Sequence, residues 1–502
     1  MAPASRTGTS DTGRRSPTKL AVPFRSARQL AADIRKRAIG SLELLDLYLA
    51  RVDKYDPAIN AIVVRDVDRA RQRARAADRA LRGGRAWGSL HGVPMTVKES
   101  YDVAGLPTTW GVPALAHNVA TANALAVERL LGAGAVIFGK TNVPLYLSDW
   151  QSFNAIHGTT NNPWDVSRAP GGSSGGSAAA LAAGLTALEA GSDIGSSIRN
   201  PAHFCGVFGH KPSWGIVPRH GQALPGQVAP VDIDVVGPLA RSAGDLVLAL
   251  EVMAGPDAID AAGWQLRLRP PRQRRLGDFK VALMVDAPES PVDADVQGRL
   301  MALGDFLRRQ KVRVDDRARP AIDTRESFSV YVRLLRAATS ARQTDDEYAR
   351  NLEIARGLAP DDQSYYARAI RGAVLPHRDW LAANEARHRM RRAWAGFFER
   401  YDLLLCPVAG VAAFPHDQQG ERHDRTVLVN GRRAPVTDHL FWAGYSGAAF
   451  LPSTAAPCGF TPGGLPVGVQ IVGPQYGDRT CLAFARLLEH EYQGFVPPPG
   501  YS

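Results

Sequence analysis

The chain is poor in cysteine, poor in lysine and without long apolar runs, and each shortage excludes something. Its four cysteines, Cys205, Cys406, Cys458 and Cys481, are scattered without CxxC spacing, which argues against a disulfide framework and against a thiolate metal site. A zinc site is therefore not expected, and the expected compartment is the reducing cytoplasm. Apolar stretches such as SAAALAAGLTALEA, 177–190, stop short of the roughly 18 residues that a membrane span needs, so they read as buried helices and no membrane span is expected. The GRRS at 13–16 would suit a twin-arginine export signal, but PTKLAVPFRSARQ follows where an apolar region should stand, so export is not expected. Of 60 basic residues only eight are lysines, which makes each lysine worth individual inspection.

What is present is a globular composition, 45% hydrophobic and 22% charged over 502 residues, enough for a sizeable core. The net charge of +11 raises the question of nucleic acid. Arginine is dense in RLRPPRQRRLGD, 267–278, whose proline pair and lack of interleaved aromatics suit an exposed connector, so no nucleic-acid partner is expected.

No internal repeat interrupts the chain. Residues 1 to about 20 are Ser/Thr/Pro-rich and aperiodic, a disordered tail by composition. A single domain is expected over 21–502: a core at about 85–255, a helical segment at about 323–400 and a return to the sheet at 401–502. Apolar spacing predicts helices over ARQLAADIRK and 41–55, with Ser41 as N-cap, and over 122–134. HGVPMTVKES (91–100) and AVIFGKT (135–141) read as strands, as do YDLLLCPV (401–408) and GLPVGVQIVGP (464–474). Alternating elements imply an α/β fold with strands drawn from both halves of the chain. In the charged helical segment, Met390, Trp394 and Phe397 share one face, which reads as packing.

Two motifs match by spelling and fail by context. GAVIFGKT, Gly134–Thr141, fits the phosphate-loop expression. Ala-Val-Ile-Phe, however, is a buried-strand sequence where backbone amides should curl around phosphate, and Pro144 follows where the helix should start. GGSSG and GSSGG, centred on Ser173 and Ser174, fit the nucleophile turn of a Ser-His-Asp hydrolase. That turn follows a buried strand directly, whereas NNPWDVSRAP (161–170) is turn-rich, and no downstream histidine is marked as the base. A flexible linker would not stand between a Trp-Asp loop and an apolar helix.

Three segments remain: VPMTVKES with Lys98, PGGSSGGS with Ser173, and GSDIGSSIRNPA (191–202) with Ser197. With these motifs the chain resembles the amidase signature family of serine hydrolases, over most of its length. The resemblance implies a three-layer α/β/α sandwich around a large mixed β-sheet. It also implies a triad of a lysine, a serine in a cis peptide and a nucleophilic serine 24 residues further on; Ser173 and Ser197 have that separation. By this resemblance Lys98, Ser173 and Ser197 are catalytic, and the backbone amides of Ile194, Gly195, Ser196 and Ser197 form the oxyanion hole. The family often has glycine before the nucleophile, where this chain has Ser196.

The chemistry asks for the same residue types. Amide cleavage needs a deprotonated serine and pre-aimed donors for the oxyanion, each donor worth about 10²- to 10³-fold in rate. Lys98 serves as base only if burial pulls its pKa far below about 10.4. Glu99, its neighbour in a strand, points to the opposite face. Ser173 can relay the proton, and Gly172 beside it lets the backbone pass close. Ser174 and Ser177 read as backbone-bonding and helix-capping residues; Asp193 and Arg199 read as supports of the site. The expected activity is cleavage of a small-molecule amide, or a similar ester, anilide or carbamate, through an acyl-serine, with no metal or organic cofactor. The alternatives are an amidotransferase subunit of a glutamine-dependent tRNA complex, a Ser-His-Asp hydrolase, or a catalytically silent binding protein. A homodimer is compatible with this reading. LYLSDWQSFN (145–154) and HLFWAGYS (439–446) are candidate pocket walls, and the residues do not name the acyl group or the amine.

Overall fold

The computed structural model describes residues 20–501; the expected N-terminal tail lies outside the described residues except for Leu20. Local signals set the first helices. Ala27–Arg35 starts at Ser26, whose hydroxyl accepts from the Gln29 amide while the Gln29 side chain accepts from the Ser26 amide, a reciprocal cap. Ser41–Ile59 follows, but Ser41 is not its cap. Gly40 takes that position, with Glu43 accepting from its amide, and the Ser41 hydroxyl instead donates to the Gly92 carbonyl at 2.7 Å. A buried neighbouring segment competes successfully for a hydroxyl that sequence spacing assigns to the helix end.

Three strands, β1 (Ile62–Arg65), β2 (Pro94–Lys98) and β3 (Val136–Thr141), form a small sheet in the order β1-β3-β2, with β2 parallel to β3. Every residue of β2 and β3 is buried. The phosphate-loop spelling is thus a strand: Lys140 donates to Thr108 Oγ1 at 2.9 Å.

The large sheet has eight strands: β4 (Glu189–Asp193), β5 (Phe208–Lys211), β6 (Val235–Ala240), β7 (Lys280–Leu283), β8 (Arg313–Asp315), β9 (Leu403–Pro407), β10 (Ser453–Phe460) and β11 (Pro466–Val472). Their order is β8-β7-β9-β11-β10-β5-β6-β4. The β7–β8 and β7–β9 pairs are parallel, the others antiparallel, so the sheet is mixed and its strands come from both halves of the chain. Helices pack on it to give an α/β fold. β2 lies beside β4 at the sheet's edge, where the Thr96 hydroxyl donates to Glu189.

The helical segment forms Thr324–Thr339, Asp345–Gly357, Tyr365–Ala373 and His377–Phe398. Met390 joins Val330, Leu334, Ala383 and Ala386 in a satellite core, while Trp394 and Phe397 belong to the main core. That stripe is packing. Residues 263–275 carry neither helix nor strand and are largely exposed, as suits an arginine-rich connector.

Candidate active site

Three chain turns converge where β2 and β4 end. Lys98 is the last residue of β2 and fully buried. Its ammonium donates to Ser173 Oγ at 2.7 Å and to Ser192 Oγ at 3.0 Å. Burial pulls its pKa down to about 7, with the carboxylates of Asp234 and Asp193 opposing the shift. Glu99 does not compete for it. Pointing to the other face, Glu99 accepts the backbone amides of Thr109 and Trp110.

Ser173 sits in the glycine-serine loop after a cis Gly172–Ser173 peptide. Glycine is obligatory at 172 for a steric reason: a Cβ there would lie 2.2 Å from the Asp149 carbonyl oxygen. The Gly172 amide donates to Asn200 Oδ1 and the Ser174 amide to the Ser197 carbonyl at 3.1 Å, which ties this loop to the next. Of the roles expected of Ser174 and Ser177, backbone bonding holds for Ser174, whose hydroxyl donates to the Ser192 carbonyl at 3.5 Å, and capping does not. Ser174 stands at the N-cap of helix Gly175–Ala182 without a side-chain cap bond, and Ser177, inside that helix, pairs its hydroxyl with Thr141 Oγ1 at 2.8 Å.

The Ser197 loop is shaped by a buried ion pair. Asp193 and Arg199 are both inaccessible and meet at 2.8 Å. Asp193 also accepts the amides of Ser196, Ile198 and Arg199; burial raises its pKa, but the Arg199 charge outweighs this and holds it below the usual value. The bond from Ser196 at 3.0 Å removes that amide from the expected oxyanion set. Those of Ile194, Gly195 and Ser197 donate to none of the described residues. The direction of the Gly195 amide is set from behind through the Ile194 carbonyl, and the bond to the Gly195 carbonyl holds the next peptide, whose Ser196 amide points to Asp193. Tyr331 Oη donates to the Ile194 carbonyl at 3.0 Å and Trp150 Nε1 to the Gly195 carbonyl at 2.8 Å. In a planar trans peptide, fixing the carbonyl aims the next N–H the opposite way. Ser196 has φ +72°, the left-handed region in which glycine costs least.

Ser197 is 5% exposed, the accessible end of the cluster. Among the described residues no hydrogen bond joins Ser173 Oγ to Ser197 Oγ; the Lys98–Ser173 link is formed and the second link is open. Sequence reasoning missed the support behind Lys98. Gln222 Nε2 donates to Ser192 Oγ at 3.1 Å and to Ser100 Oγ at 3.0 Å. Arg219 grips Gln222 Oε1 and pairs with Asp234 at 2.8 Å. Ser192 stands in the quoted GSDIGSS run, whereas nothing local marks Gln222 or Asp234. Of the pocket-wall segments, Trp150 and Leu440 reach the 194–197 loop. Among the described residues, no group of three His, Cys, Asp or Glu side chains is placed to hold a metal ion.

A sequence model of the family described as Amidase matches residues 43–482. The chain belongs to the amidase family. Among related amidase-family proteins, it is 35% identical to the A-subunit of glutamyl-tRNA(Gln) amidotransferase from Anaeromyxobacter sp. (strain K), over 94% of this chain and 97% of that one. It is 32% identical to indoleacetamide hydrolase of Bradyrhizobium diazoefficiens, over 93% and 86%. A bacterial aryl acylamidase of the amidase signature enzymes has the same fold, with TM-score 0.79 at 24% identity, covering 95% of this chain and 99% of that one. The amidase signature fold is thereby the fold of this chain.

Proposed function

We propose that this amidase-family protein hydrolyses a small-molecule carboxylic amide through an acyl-Ser197 intermediate, with Lys98 as base and Ser173 as proton relay. The observation that carries the reading is the 2.7 Å bond from a fully buried Lys98 to Ser173, joined to a pKa brought down to about 7. A neutral amine is then available near neutral pH. A rotation of the Ser197 hydroxyl toward Ser173 Oγ closes the relay. Proton flow is Ser197 to Ser173 to Lys98 as the nucleophile attacks, and the reverse route protonates the leaving amine. The amides of Ile194, Gly195 and Ser197 are the donors available to the tetrahedral oxyanion. No step in this scheme calls on a metal or an organic cofactor.

The 35% identity to a tRNA-dependent amidotransferase component favours a second reading, in which the chain releases ammonia inside a tRNA-amidating complex. The two readings part on one measurement: the purified chain alone should turn over aliphatic, aryl or amino-acid amides. Four free, buried cysteines support a reducing compartment for this chemistry.

Ser197→Ala should abolish turnover with the melting temperature unchanged, since no packing volume is lost. A fluorophosphonate probe should label the wild type at Ser197 by intact-mass and peptide analysis; labelling only at Ser173 or Ser174 would overturn the assignment.

A further inference from the structure

A group of arginines lines a cavity of about 470 Å³ between the helical segment and the loops at 146–148 and 421–423. Arg336, Arg342 and Arg422 face it together with Tyr146 and Tyr365. None of the three arginines has a carboxylate within ion-pair distance among the described residues. Arg336 bonds Tyr365 Oη, Arg342 donates to the Tyr146 carbonyl at 2.8 Å, and Arg422 donates to the Ser148 carbonyl at 3.1 Å. After these bonds, Arg336 Nε, Arg422 Nε and Arg422 Nη2 remain buried with no partner. The acids on the cavity wall do not balance them: Glu347 accepts the Thr344 amide as part of a helix cap, and Glu421 is exposed.

One chain of contacts leads from this cavity to the oxyanion loop. The Arg422 guanidinium lies 5.7 Å from the Trp150 ring, and the Trp150 indole holds the Gly195 carbonyl of the oxyanion loop. Buried guanidinium donors without a partner are costly, and the group that satisfies several at once is a planar anion.

We propose that this cavity binds a carboxylate carried by the substrate, so that the protein acts on amides bearing an acid group on the acyl or the amine half. The proposal rests on the acyl-serine reading only for the identity of the ligand as substrate. The volume suits a ligand of small-molecule size. The three arginines supply charge-assisted bonds and set which end of the substrate lies away from Ser197.

The test is binding without turnover. Calorimetry on Ser197→Ala compares glutaric acid monoanilide with valeranilide, which places the carboxylate on the acyl half, and 4-acetamidobenzoate with acetanilide, which places it on the amine half. At least one acid should bind roughly ten-fold or more tightly than its neutral counterpart at low salt, and that ratio should shrink as ionic strength rises. The pair showing the preference identifies the half that carries the acid. Arg336→Gln and Arg422→Gln should each reduce the ratio several-fold, with Arg336→Lys restoring part of it. Ratios near one for both pairs in the protein that keeps Arg336 and Arg422 overturn the proposal, as does a ratio indifferent to salt and to folded arginine variants. Should a variant fail to fold, the parent's ratio and its salt dependence still decide. A failure of Ser197 labelling would overturn the catalytic reading and leave this binding result standing.

Discussion

Lys98 is the side chain on which the pH dependence of this protein turns. Its amine acts as a base only when neutral, so kcat/KM should fall as the pH drops through about 7, the value to which burial brings it. The same residue must return a proton to the leaving group. An alkylamine cannot depart as an anion, whereas an activated phenolate departs unprotonated. Lys98→Ala should therefore lower amide hydrolysis much more than hydrolysis of a matched activated ester, and the acid limb near pH 7 should disappear. Parallel kinetics on the two substrates check this. Equal losses, with the acid limb unmoved, would place the base elsewhere.

At the scale of elements, the oxyanion loop is held by a helix from the segment 323–400. Helix Thr324–Thr339 crosses helix Leu440–Gly447 at Gly444, where an added Cβ would lie 2.2 Å from the Tyr331 ring. That close approach seats Tyr331 so that its hydroxyl reaches the Ile194 carbonyl at 3.0 Å. Gly444→Ala should push the ring away, costing about 1–3 kcal/mol of stability as overpacking does. It should also lower kcat more than it changes KM, because the Gly195 amide loses its aim. Tyr331→Phe, which keeps the ring and removes the bond, should reproduce the kcat loss with a smaller change in melting temperature. Steady-state kinetics and thermal unfolding on the two variants check this; kcat unchanged in both would show that the loop holds itself.

At the scale of the molecule, the Asp193–Arg199 pair links regions far apart in sequence. Arg199 donates to the Ala443 carbonyl at 3.1 Å and to Gln470 Oε1 at 2.5 Å, so one guanidinium joins the 194–197 loop, helix Leu440–Gly447 and β11. Asp193→Asn leaves that charge buried without its counter-ion, and unfolding in urea should show a loss of about 3–5 kcal/mol. The pH sign follows from the depressed carboxyl. Arg199 holds Asp193 below its ordinary value of 3.8, so the pair's contribution is fully present above that value and is lost as pH falls through the folded-state pKa. The wild type should lose stability more steeply than Asp193→Asn on acidification below about pH 4. Matching slopes would show that the pair does not govern acid unfolding.

The sequence by itself determined the fold class, the strand character of the false phosphate loop and the three segments that carry Lys98, Ser173 and Ser197. Those signals are local: apolar spacing, proline placement and short motifs are all read within a few residues. Tertiary structure decided the rest. The Ser196 amide belongs to Asp193 only because the loop folds back on the strand that precedes it, and Ser41 leaves its helix end because Gly92 arrives beside it. Gln222 and Asp234 stand 30 and 42 residues beyond Ser192, and the arginines of the cavity come from a helix, a turn after it and a distant loop. Their contacts with the site depend on how helices and loops pack around the sheet, and no spacing along the chain encodes that packing.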